Sequence, residues 1–133
     1  MMAGVARLRD VVLDSVHPAR LAHFWAGALD GYAVAPYDEA ELARLRSTGV
    51  TSTEDDPTVL VEPSDGGPRL WCQRVEDREP AGGPGLHLDL VAADTAAEAD
   101  RLVGLGASVL AHHDDHLVLA DPEGHPFCLY PAG

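Results

Sequence analysis

Asp10-Val-Val-Leu-Asp14 and His87-Leu-Asp-Leu-Val91 are two short alternating stretches, and each runs into a helical pattern that ends at glycine. In the first, Val11 and Leu13 point one way and Asp10, Val12 and Asp14 the other, as in a strand with one apolar face. Each stretch has a later counterpart in an aromatic-cysteine strand. These are Leu70-Trp71-Cys72-Gln73 in one half and Pro126-Phe127-Cys128-Leu129 in the other. Such an internal repeat decides the architecture before any single residue does. It also locates a site, because duplicated strands can bring corresponding side chains to one shared centre.

After the first stretch, Pro18 suits the first position of a helix, where a missing N–H costs nothing. Leu21, Phe24, Trp25, Ala28 and Leu29 then recur at helical spacing, and Gly31 is the stop signal. Tyr32 to Pro36 reads as a short strand. Asp38-Glu-Ala-Glu41 has the shape of a capping box and opens a second helix to about Arg46, with Leu42 and Leu45 as its apolar stripe. Thr48 to Pro57 reads as a polar loop. Strands are expected over 58–61 and 69–75, joined by the turn Ser64-Asp-Gly-Gly-Pro68.

The second half repeats the pattern. Residues 86–91 read as a strand, Asp94 as an N-cap and 96–105 as a helix stopped by Gly106. Strands follow at 107–111, 117–119 and 126–130, with a tight turn at Asp121-Pro-Glu-Gly124. Each half therefore reads β-α-β-β-β, and the first carries an extra helix between its second and third strands. The expected units are about 7–75 and 85–131, separated by a Pro-, Gly- and charge-rich linker at about 76–84.

With 133 residues, 46% of them apolar, the chain can build the core of one domain or of two small units. Nine Lys and Arg oppose 22 Asp and Glu, a net charge of −13. That field repels phosphate backbones and anionic lipid, so neither nucleic acid nor membrane is an expected partner. No segment approaches the ~20 apolar residues of a membrane span. Met1 to Arg7 has no apolar signal core, and the two cysteines have no disulfide-framework spacing. A cytoplasmic protein with reduced thiols is the expectation.

The chain resembles the vicinal oxygen chelate superfamily, which includes glyoxalase I, bleomycin-resistance proteins and extradiol dioxygenases. It is similar in particular to actinobacterial glyoxalase-like proteins. The motifs that carry the likeness are Pro18-Ala-Arg-Leu-Ala-His-Phe-Trp25, Asp55-Asp-Pro-Thr-Val-Leu-Val61, Gly67-Pro-Arg-Leu-Trp-Cys-Gln-Arg-Val75, Leu86-His-Leu-Asp-Leu90 and Asp121-Pro-Glu-Gly-His-Pro-Phe-Cys128. The resemblance implies an α+β fold in which two βαβββ repeats form a mixed, cup-shaped sheet with helices outside. It also implies one divalent metal held by the first and last strands of each unit. Aligning the repeats sets Asp10 against His87 and Cys72 against Cys128. Only His87 is the residue type usual in that superfamily, where glutamates stand in place of the cysteines.

If Asp10, Cys72, His87 and Cys128 ligate, their sulfur, nitrogen and oxygen donors suit zinc better than magnesium. The plainer reading makes both cysteines buried hydrophobes. A one-residue shift would turn Cys72 to the other face and present Trp71 or Gln73 instead. His87 can be a ligand, a general base or a packed residue. Asp89 shares its face and can orient it. Trp71 and Tyr130 can stack on a ligand or pack in the core. His112, His113 and His116 read as a hairpin tip, with His116 at the start of a strand and able to point inward. Asp121, Glu123 and His125 read as turn residues.

Three functions remain open from the sequence. One is a small-molecule-binding protein with doubtful metal dependence, using His87, Asp89, Trp71, Gln73, Tyr130 and His116. Another is a divalent-metal-dependent lyase, isomerase or dioxygenase. The third is a partner-binding domain without a cavity. A homodimer is compatible with each, since the linker permits pairing within one chain or exchange between two.

Overall fold

The computed structural model describes residues 10–76 and 88–132. The chain divides into two compact units after Glu76. The linker residues from Asp77 on, together with Leu86 and His87, lie outside the described residues.

In the first unit, strand β1 (Asp10–Ser15) leads into helix α1 (Pro18–Ala28), strand β2 (Tyr32–Val34), helix α2 (Glu39–Ser47), and strands β3 (Thr58–Pro63) and β4 (Arg69–Arg74). The sheet order is β1-β4-β3-β2, with β1 parallel to β4 and the other pairs antiparallel. The alternation read from the sequence sets the faces. Leu13, Ser15, Val59, Val61, Leu70 and Cys72 are buried on the side covered by α1. Asp10, Val12, Asp14, Thr58, Leu60, Arg69, Trp71 and Gln73 take the other side, here called the open face.

Helix α1 begins with Pro18 at its N-terminal turn and buries Leu21, Ala22, Phe24 and Trp25 against the sheet. Burying each large apolar side chain contributes roughly 1.5–3 kcal/mol. The phenyl ring of Phe24 meets the indole of Trp25 edge to face at 5.2 Å. Gly31, at φ +77°, makes the turn into β2, and its carbonyl accepts from the Ser64 amide at 2.8 Å. A side chain there would be both strained and pressed to 3.2 Å from Ser64 Oγ.

The second unit repeats the order without the extra helix: β5 (Leu88–Ala92), α3 (Thr95–Leu105), β6 (Ser108–His112), β7 (Leu117–Ala120) and β8 (Pro126–Pro131). Its sheet order, β5-β8-β7-β6, matches the first. Asp94 caps α3 by accepting from the Ala97 amide at 3.0 Å, and Gly106, at φ +122°, ends it. Leu102, Leu119, Phe127 and Leu129 form its core. The expected βαβββ duplication is therefore present in both sheets, and the architecture is α+β.

Candidate ligand site

The extra helix of the first unit is the main departure from simple repetition. Asp38 caps α2, accepting from the Glu41 amide at 2.8 Å, as the capping-box pattern implies. The Glu41 carboxylate pairs with Arg44 one turn on. Leu45 anchors the helix, being 3% exposed. The segment from Ala35 through α2 to Asp56 covers part of the open face and forms with it a half-open cavity of about 480 Å³. Leu60, Trp71 and Thr58 line it from the sheet, and Tyr37, Arg44 and Asp56 from the covering segment.

A part-buried polar pair ties that segment to Asp56. The Tyr37 hydroxyl donates to Asp56 Oδ2 at 2.7 Å, and Asp56 Oδ1 accepts from the Thr58 amide at 3.0 Å. Asp56 is 3% exposed, so these donors take the place of the water its carboxylate would otherwise bind. Burial, then the hydrogen bond to Asp56, push the Tyr37 phenol far above its ordinary range. The hydroxyl therefore stays protonated, and with its O–H donated in a hydrogen bond to Asp56 its oxygen is left as an acceptor.

The wall residue Trp71 is itself supported. Arg69 Nε and Nη2 donate to the two oxygens of Asp10 at 2.7 and 3.2 Å. The same guanidinium lies over the Trp71 ring, 5.5 Å from its centroid. The hydrogen bond to Asp10 holds the Arg69 pKa above its usual value.

In the second unit, Asp89, Val91, Cys128 and Tyr130 share the open face. Burial, and then the neighbouring Asp89 carboxylate, raise the Cys128 thiol. His116 stacks on Tyr130 at 4.8 Å and on His113 at 4.7 Å, with its Nδ1 2.7 Å from Asp115. It thus turns onto the sheet, whereas Asp115 is exposed at the hairpin tip. Asp121 and His125 are turn residues: Asp121 Oδ1 accepts from the Glu123 and His125 amides at 2.9 Å, and the His125 ring binds the same carboxylate.

Two members of the expected metal set, Asp10 and Cys72, do not come together. With Leu13 set against Leu90, the parallel registers make Cys72 equivalent to Leu129 and Trp71 equivalent to Cys128. The alignment of Cys72 with Cys128 is therefore off by one residue, and on a strand one residue reverses the face. Cys72, 0% exposed, points toward α1 while Asp10 points the opposite way. The two cannot share an ion. The Asp10 carboxylate is moreover engaged by Arg69, and His87 lies outside the described residues. Among the described residues, no group of three or more His, Cys, Asp or Glu is placed to hold a metal.

Among the sequence candidates, Trp71 lines the cavity, and Gln73 shares its face two residues along β4. Asp89, His116, Cys128 and Tyr130 are brought together in the second unit. Tyr37, Arg44, Asp56, Thr58 and Leu60 were not foreseen as lining residues. The signal that could have found them is the asymmetry of the repeat, since one copy carries a covering segment that the other lacks.

A family model described as glyoxalase-like domain matches residues 10–130. The chain belongs to that family. Solved structures of the glyoxalase, bleomycin-resistance and dioxygenase group share its fold. One is a family enzyme from Burkholderia phytofirmans PsJN, with a TM-score of 0.66 at 12% identity over 95% of this chain and 98% of that one. Another is the fosfomycin resistance protein FosX from Mesorhizobium loti, at 0.64 and 13% over 100% and 94%. A third is the trypanothione-dependent glyoxalase I of Leishmania major, at 0.61 and 15% over 96% and 87%. At these identities the likeness speaks for the fold alone. No curated protein matches the sequence. No helix among the described residues is long and apolar enough to cross a membrane.

Proposed function

We propose that this glyoxalase-like protein binds a small organic molecule on the open face of its first unit, without a metal at Asp10. The observation that carries the reading is the cavity of about 480 Å³ between the covering segment and the sheet. Its size lies within the roughly 300–1,000 Å³ of small-molecule sites. Its apolar side, Leu60 and Trp71, suits the flat or hydrophobic part of a ligand. Its polar side offers the Tyr37 oxygen, the Thr58 hydroxyl and Arg44, which would fix orientation.

Relatives named for drug resistance or for glyoxalase activity also act on small molecules, which agrees with this reading. The Asp10–Arg69 ion pair and the inward-facing Cys72 favour binding over a metal-dependent lyase, isomerase or dioxygenase. The test is titration with Nile red, a neutral planar dye. Saturable uptake at one dye per chain is expected, and Leu60→Trp, which fills the cavity, should abolish it while the far-ultraviolet circular dichroism stays native. Equal uptake by a folded Leu60→Trp variant would refute the site.

A further inference from the structure

Asp10 stands where the resemblance implies a metal ligand, yet its carboxylate meets a guanidinium of its own chain. The contact is two-pronged, 2.7 Å from Nε and 3.2 Å from Nη2, and the Asp10 side chain is only 14% exposed. Two-pronged contacts of this kind fix the plane of the guanidinium as well as its position. Arg69 and Trp71 lie two apart on β4, so their side chains rise from the same face. The fixed guanidinium lies over the indole at 5.5 Å, within the range in which a cation and a ring attract. Trp71 lines the cavity, whereas Arg69 and Asp10 do not. A chain of contacts thus runs from β1 through β4 to the cavity wall.

We infer that Asp10 and Arg69 are positioning residues for the ligand site, acting through Trp71. The carboxylate orients the guanidinium, and the guanidinium holds the indole in one orientation. The cavity then offers a pre-set flat wall that selects planar ligands. A wall already ordered before binding spares the ligand the cost of ordering it. This inference rests on the small-molecule reading of the same cavity. It assigns Asp10 a structural partner in place of a metal.

The measurement compares wild type with Arg69→Met, Arg69→Lys, Asp10→Asn and Trp71→Ala. Nile red affinity is read by dye emission, and affinity for a globular ligand, adamantanol, by calorimetry. Trp71 mobility is read by acrylamide quenching. Trp25 is 1% exposed, so the quenchable emission reports Trp71. Arg69→Met is expected to weaken Nile red binding about three- to tenfold, the range set by one cation–ring contact. It should increase quenching and leave adamantanol binding unchanged. Arg69→Lys, which keeps the charge and loses the planar fork, should restore only part of the affinity. Asp10→Asn reads the same contact from the other end should Arg69→Met fail to fold.

Wild-type affinity and quenching in both Arg69→Met and Asp10→Asn would overturn the inference. An equal loss for planar and globular ligands would overturn it too, because that result marks a merely structural role. If Trp71→Ala binds Nile red as wild type does, the cavity reading itself fails, and the result appears in that variant alone.

Discussion

The two units share one topology and differ in what stands on the open face of the sheet. In the first, 21 residues separate Val34 and Asp56 and include a capped helix, and this segment borders the face to leave a cavity. In the second, β6 and β7 are joined by a tight hairpin tip, and the face carries a ladder of His113, His116 and Tyr130 beside Cys128. At the equivalent position on the last strand, the first unit has Trp71 and the second Cys128. The lesson is that duplication conserves the scaffold while insertion and face-specific substitution separate the roles. The same division appears in the cores. Helix α1 buries seven residues, including Phe24 and Trp25, whereas α3 buries Ala99 and Leu102.

Deletion of core side chains tests that imbalance most strongly. Trp25→Ala should cost about 3–5 kcal/mol and Leu102→Ala about 2–4 kcal/mol in urea unfolding. A larger loss at Leu102 would show that the second unit, despite its slighter helix core, carries more of the stability.

The turns before the last strands give a smaller contrast. Asp121 has a fully buried side chain and accepts two backbone amides and the His125 ring, so Asp121→Ala should cost about 2–3 kcal/mol. Asp65, in the corresponding turn of the first unit, is exposed and accepts from the Gly67 amide, so Asp65→Ala should stay within about 0.5 kcal/mol. Equal losses from thermal unfolding of the two variants would erase the distinction.

The smallest effect is chemical. Burial and Asp89 raise the Cys128 thiol in the folded state. Its contribution to stability is therefore complete below the ordinary thiol range and is lost as pH rises through the raised value. At pH 8 iodoacetamide should label native Cys128 more slowly than a free thiol, and Asp89→Asn should speed the labelling. Labelling as fast as in the unfolded chain would contradict the shift. Cys72, wholly buried, should resist labelling until the protein unfolds.

Much of the fold was legible because the local signals agreed with the tertiary ones. Pro18, Asp38, Asp94, Gly31 and Gly106 all act at helix or turn boundaries as their chemistry implies. Alternation placed Asp10, Val12 and Asp14 on one face because the other carries the buried Leu13 and Ser15. The site was less legible for two reasons. A one-residue register error is invisible in sequence, since Trp71-Cys72 and Phe127-Cys128 look alike, yet it turns Cys72 from the site into the core. The cavity, in turn, is lined from the segment that runs from Ala35 to Arg44 and from Asp56, where no strand or helix periodicity marks a shared wall. Asp56 falls in the stretch read as a polar loop, yet it is buried and accepts from the Tyr37 hydroxyl.

Amide chemical-shift mapping of the protein titrated with Nile red tests whether the first unit carries the ligand site. Shifts are expected to concentrate at Ala35–Arg44, Asp56–Leu60 and Trp71 and to grow together to saturation. Shifts confined to Asp89, His116, Cys128 and Tyr130 in the second unit would contradict it.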